Sequence, residues 1–191
     1  MMAEPAIRIT PQAVYDRLMA ARQGDPVEDT LARIIASWSL GIGAMPRWLG
    51  LGEVGFRAML NRYFPRLSRE ALPEIGVAVD LARLDEVADL RKLLLENRTS
   101  DTDSQTLMAE LVVAGCMGND HLWQDLGLWC RADLSKLMMD NFAPLALRNQ
   151  RDMKWKKFLY KQLCETEGIY TCRAPSCEVC ADFASCFAPE E

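Results

Sequence analysis

Four cysteines stand within fifteen residues near the end of the chain: Cys172, Cys177, Cys180 and Cys186, spaced C-x4-C-x2-C-x5-C. The segment is too short and too polar to be a core, carries Pro175, and shows no apolar period. Three chemistries suit such a run: a disulfide knot, a structural zinc, or an iron–sulfur cluster. The x2 gap between Cys177 and Cys180 lets two sulfurs turn toward one centre, but structural zinc commonly uses two such knuckles and here there is one. Cys172, Cys177 and Cys180 reproduce the C-x4-C-x2-C gaps of one iron–sulfur loop, so the spacing favours iron–sulfur over zinc while leaving both open, since both accept four thiolates. A disulfide framework fits least. Seven cysteines is an odd number, and a reducing compartment is expected.

Immediately before the cysteines lies the element that must position them. Asp152 is expected to cap a helix running from Met153 to about Glu167 and ending before Gly168. At about 100° per residue, Trp155, Phe158, Leu159 and Leu163 face the protein, while Lys154, Lys157 and Lys161 face nearly the other way. Cys164 falls beside the lysines, where ammonium groups favour the thiolate. From Arg148 to Lys161 there are six basic residues against the single acid Asp152, and the remainder of the chain carries −10. Four thiolates and a cluster leave negative charge, which a cationic neighbour stabilises. The same lysines, with Lys156 among them, are also expected to offer an oxyanion its approach.

The rest of the chain reads as helix throughout, with apolar residues at gaps of three and four. Successive faces are Val14, Tyr15, Leu18 and Met19; Leu31, Ile34, Ile35 and Trp38; Phe56, Met59, Leu60, Tyr63 and Phe64 up to Pro65; and Leu84, Val87, Leu90 and Leu94. Leu107, Met108, Leu111, Val112 and Cys116 follow a polar loop, 97–104, that supplies helix caps, and Leu134, Leu137, Met138 and Phe142 make a further face. Cys116 is therefore expected in the core. The glycines between Gly41 and Gly52 lack the strand before and the Lys-Ser/Thr pair after that a phosphate loop requires, so they read as a helix–helix connector. Asp120 and Asp125 read as cap or surface residues. His121, the only histidine, reads as a helix-start residue held locally, with an alternative role as a further metal ligand beside Cys164. The expected fold is all-α: a helical domain over 1–168 followed by a cysteine-rich metallocluster segment over 169–191.

Length and composition suit one ordinary globular domain. A net charge of −5 argues against a general nucleic-acid binder, and no run approaches the roughly 20 apolar residues of a membrane span. The opening MMAEPAIRIT has no basic n-region or apolar h-region, so a cytoplasmic protein is expected. No Ser/His/Asp or Cys/His arrangement supports hydrolysis, which points to binding and not turnover. Besides a metallocluster carrier, the residues leave open a zinc-stapled helical adaptor and a small electron-transfer or redox-sensing iron–sulfur protein.

Several motifs together carry a resemblance. His121-Leu-Trp-Gln-Asp-Leu-Gly127, Asn149 followed by Asp152-Met-Lys-Trp-Lys-Lys-Phe158, Leu163-Cys164, and the four-cysteine run ending Cys186-Phe-Ala-Pro-Glu-Glu191 resemble the NifQ family of nitrogen-fixation proteins. Leu49-Gly-Leu51 and Tyr63-Phe-Pro65 fit the same pattern. The resemblance implies a molybdenum-handling protein whose iron–sulfur cluster incorporates molybdenum and passes it to assembly of the nitrogenase iron–molybdenum cofactor. It implies molybdate as the incoming species, and the NifEN scaffold and the nitrogenase iron protein NifH as partners. On that footing Cys172, Cys177, Cys180 and Cys186 are the cluster ligands.

Overall fold

The computed structural model describes residues 9–68 and 84–167. The segment expected to bind the cluster, with Cys172, Cys177, Cys180 and Cys186, lies outside the described residues. Nine helices stand among the described residues, none of which forms a β-strand, as the apolar spacing predicts.

Helix α1 (Pro11–Ala20) starts where Thr10 Oγ1 accepts the Ala13 N–H at 3.2 Å, with Pro11 at the first position, where its missing N–H costs nothing. It packs on α2 (Glu28–Trp38), the most enclosed helix, in which Leu31, Ile34 and Ile35 are wholly buried. Glu28 is buried as well. Its two carboxylate oxygens accept the backbone N–H groups of Gln23 and Gly24 at 2.9 and 2.8 Å, which offsets the cost of leaving water.

The connector from α2 to α3 (Gly52–Tyr63) is a helix–helix connection, as read. It includes a tight turn, Arg47–Gly50, in which Trp48 and Leu49 both take left-handed backbone angles, φ 58° and 55°. Each such residue costs about 1–2 kcal/mol. Complete burial of Leu49 and the packing of Trp48 on Phe56, ring centres 5.5 Å apart, oppose that cost.

Helix α4 (Leu84–Glu96) packs against α5 (Asp103–Cys116) and the last described helix, α9 (Trp155–Glu167). Between α5 and α9 come α6 (Leu122–Asp125), α7 (Arg131–Asn141) and α8 (Ala143–Ala146). Thr102 caps α5 from the polar loop, and Met108, Leu111, Val112 and Cys116 face inward. Leu134, Leu137, Met138 and Phe142 are wholly buried, whereas Met139 is on the surface. One continuous apolar cluster takes side chains from α1 through α9.

The start of α9 differs from expectation. The helix begins at Trp155, and Asp152 does not cap it: its φ of 54° breaks the helical run, and its carboxylate meets the Arg131 guanidinium at 2.6 Å. Asn149 organises the turn instead. Its Oδ1 accepts the Met153 N–H at 2.8 Å and its Nδ2 donates to the Met153 carbonyl at 2.9 Å.

Candidate functional site

Helix α9 divides as its sequence says. Trp155, Phe158 and Leu159 are buried and Leu163 packs at the edge of the core. Lys157 is exposed, Lys154 and Lys161 are half-exposed, and Lys161 pairs with Glu165 at 3.5 Å. Cys164 is half-exposed, two helical turns beyond Lys157 and about 20° from it around the axis at about 100° per residue. Arg148 is spent on the fold: it donates to Asn97 Oδ1 at 2.9 Å.

Lys156 is the exception among the expected anion-binding lysines. Its Nζ forms an ion pair with the Asp125 carboxylate and donates to the Gly118 carbonyl at 2.8 Å. Its side chain is 17% exposed and that of Asp125 2%, so this pair sits inside the protein and not on an approach face. Asp125, read as a cap or surface residue, is thus a buried counter-ion. The second claim on its carboxylate is the Asp120 N–H, at 3.1 Å. A signal for this was present along the chain. At about 100° per residue, Lys156 lies about 160° from Lys154 but only about 20° from Leu163, beside the apolar stripe.

The ground around the pair is close-fitting. A Cβ on Gly118 would fall 2.3 Å from the Asp125 carboxyl carbon. Gly43, at φ +90°, approaches so near that a Cβ would meet the Asp125 and Gln124 carbonyl oxygens at 2.9 Å, and next to it the Ala44 N–H donates to the Asp125 carbonyl. The glycine connector therefore docks on the 118–127 turn. No reading of the connector alone could show this, because the partner lies some eighty residues away.

His121 sits where the sequence put it, at the residue before α6. Its N–H donates to Gln124 Oε1 at 3.2 Å, its carbonyl accepts the Asp125 N–H at 2.9 Å, and its side chain is half-buried. The structure therefore brings His121 and Lys156 into one neighbourhood through Gly118 and Asp125. Cys164 lies about 12 Å along α9 from Lys156, eight residues at 1.5 Å each. Among the described residues, no three of His, Cys, Asp and Glu stand together in a way that could hold a metal ion.

Elsewhere, α1, α2 and the start of α7 are tied by charge. Tyr15 donates to Asp29 at 2.5 Å, Arg33 lies over the Tyr15 and Trp129 rings at 5.4 and 4.8 Å, and Asp133 accepts the Trp129 and Cys130 N–H groups. Burial pushes the Asp29 carboxyl up, but the hydrogen bonds from Tyr15 and Arg33 outweigh it and hold its pKa below the ordinary value. Trp129 is thus committed to packing, as Trp48 is; Trp123 rests against the core.

No described helix is long and apolar enough to cross a membrane. No solved structure matches the chain. Its sequence, however, matches the NifQ family model over residues 30–188, a span that takes in the Asp125–Lys156 pair, His121, Cys164 and all four motif cysteines. Protein NifQ of Azotobacter vinelandii is 43% identical over 170 residues, covering 84% of this chain and 87% of that protein. Protein NifQ of Klebsiella pneumoniae is 33% identical over 178 residues, covering 85% of this chain and 99% of that protein. A NifQ homolog of Sinorhizobium fredii is 35% identical over 170 residues, 84% of this chain and 70% of its own length. With the match running through the helical body and the cysteine run alike, the chain belongs to the NifQ family.

Proposed function

We propose that this protein is a metallocluster carrier that supplies molybdenum for biosynthesis of the nitrogenase iron–molybdenum cofactor. Family membership implies a role in nitrogen fixation and in making that cofactor. The carrier reading rests on one observation above the others: the C-x4-C-x2-C-x5-C run follows directly on a helix whose outer face is cationic. Cys172, Cys177, Cys180 and Cys186 are the cluster ligands in this reading, as thiolates, the deprotonated form that metals bind. Lys154, Lys157 and Lys161 receive molybdate at the approach. The Lys161–Glu165 pair is of the surface kind, worth about 0–1 kcal/mol, and so yields readily to a dianion.

A carrier must also unload. Three of the four cysteines hold irons in this reading, and the molybdenum corner has a weaker, exchangeable ligand from His121 or Cys164. The loaded protein then passes molybdenum on to the NifEN scaffold with the iron protein NifH, in the reducing cytoplasm, as a binding protein without turnover.

The test begins with colour. Protein purified without air should be brown and bleach with oxidant; colourless protein with zinc as its only stoichiometric metal would end the proposal, because a filled d shell gives no such colour. Single Cys→Ala, His121→Ala and Cys164→Ala variants, with iron and molybdenum counted separately, then examine the corner. Loss of both metals in equal measure from every motif-cysteine variant, and of neither from the other two, would show that no asymmetric corner exists.

A further inference from the structure

Lys156 has a position in the fold that the carrier reading does not use. It stands in the first turn of the helix that leads into the cysteine segment, yet its charge is turned inward. There it joins two carbonyl-side acceptors of another part of the chain, the Gly118 oxygen and the Asp125 carboxylate. Asp125 in turn fixes the Asp120 N–H, and the Asp125 N–H closes the turn onto the His121 carbonyl. The carboxylate is too enclosed for a side chain larger than hydrogen at Gly118. Every bond in this set ends on the short turn that presents His121.

Two further observations set the purpose apart from general stability. The body of the protein already has an extensive apolar core, of which Trp155, Phe158 and Leu159 are the α9 part, so α9 is held to the bundle without the pair. A buried ion pair, moreover, gains little over a well-packed apolar substitute; its better-attested use is to fix one register among several. An apolar stripe alone permits α9 to slide or rotate by small steps. A lysine that must meet both a carbonyl and a carboxylate does not.

We propose that Asp125 and Lys156 form a positioning latch. It holds the Gly118–Asp125 turn, and with it His121, in fixed register against the base of the cysteine-bearing helix, so that retention of molybdenum depends on two residues that never touch the cargo. The dependence on molybdenum rests on the carrier reading; the latch itself does not.

The decisive variant is Asp125→Asn with Lys156→Met, which removes both charges together and leaves an acceptor for the Asp120 N–H. Amide exchange under native conditions is followed in the full-length chain, and iron and molybdenum are counted in the same anaerobic samples. Expected are exchange at least about tenfold faster over 118–125 and 158–161, unchanged exchange in α2 and α5, and a molybdenum-to-iron ratio at least about threefold below the parent protein. Exchange over 118–125 and 158–161 unchanged from the parent protein, or a uniform rise across all helices, overturns the latch. Faster local exchange with an unchanged metal ratio overturns its bearing on the cargo. If the parent protein itself takes up no molybdenum, the carrier reading fails, and the exchange data alone decide the latch. Should the double variant not fold, Lys156→Arg, which keeps the buried charge paired but changes how it reaches the Gly118 carbonyl and the Asp125 carboxylate, carries the same comparison.

Discussion

Residue by residue, the energetics turn on where a charge ends up. Lys156→Met leaves the Asp125 carboxylate buried without its partner, so a loss of about 3–5 kcal/mol in denaturant unfolding is expected. Adding Asp125→Asn should restore much of it, since neither charge then remains inside. Gly118→Ala forces a methyl group onto the Asp125 carboxyl and should cost about 1–3 kcal/mol or more. Asp29 gives a pH signature. Its pKa is lower in the folded protein than in the unfolded chain, so its contribution is fully present above the unfolded value and is lost as pH falls through the folded one. Tyr15→Phe removes one of the hydrogen bonds that lower it. The variant should be less stable than the parent at neutral pH, by about 1 kcal/mol for a half-exposed charged bond, and the difference should shrink once both forms are protonated. Stability measured across an acid titration checks this.

At the level of elements, α9 is the informative case. Its length and two-faced character follow from local spacing: Trp155, Phe158 and Leu159 recur at three and four, and the lysines fill the opposite side. Its beginning does not. Asp152 has the side chain of a good cap, but a cap needs extended backbone, and the Arg131 guanidinium that holds Asp152 is twenty-one residues away. Asn149 takes over the job by gripping both polar groups of Met153, so Asn149→Ala should cost about 1–3 kcal/mol and fray the first turn of α9, visible as faster exchange there. The glycine connector teaches the same lesson. Its turns announce themselves as Gly and Pro, whereas the tight seat of Gly43 on the 124–127 turn depends on a contact between distant stretches.

For the molecule as a whole, the continuous apolar cluster across α1–α9 holds no group of metal ligands among the described residues. Removing metal with a chelator under anaerobic conditions should therefore leave the far-ultraviolet helical signal nearly intact while abolishing the visible absorption. Collapse of both together would mean that the body, too, needs the metal to fold. What the chain reveals by itself is whatever is written in short-range order: an all-helical fold, because burial of one face repeats every three to four residues; a cationic face on the last described helix; and a four-cysteine run whose gaps are compatible with a metal centre. Tertiary structure alone decided that Lys156, among the neighbouring lysines, is turned inward. That choice depends on Asp125 and Gly118, brought to Lys156 from more than thirty residues away by the packing of the intervening helices, and an attraction between such distant residues leaves no period in the sequence to read.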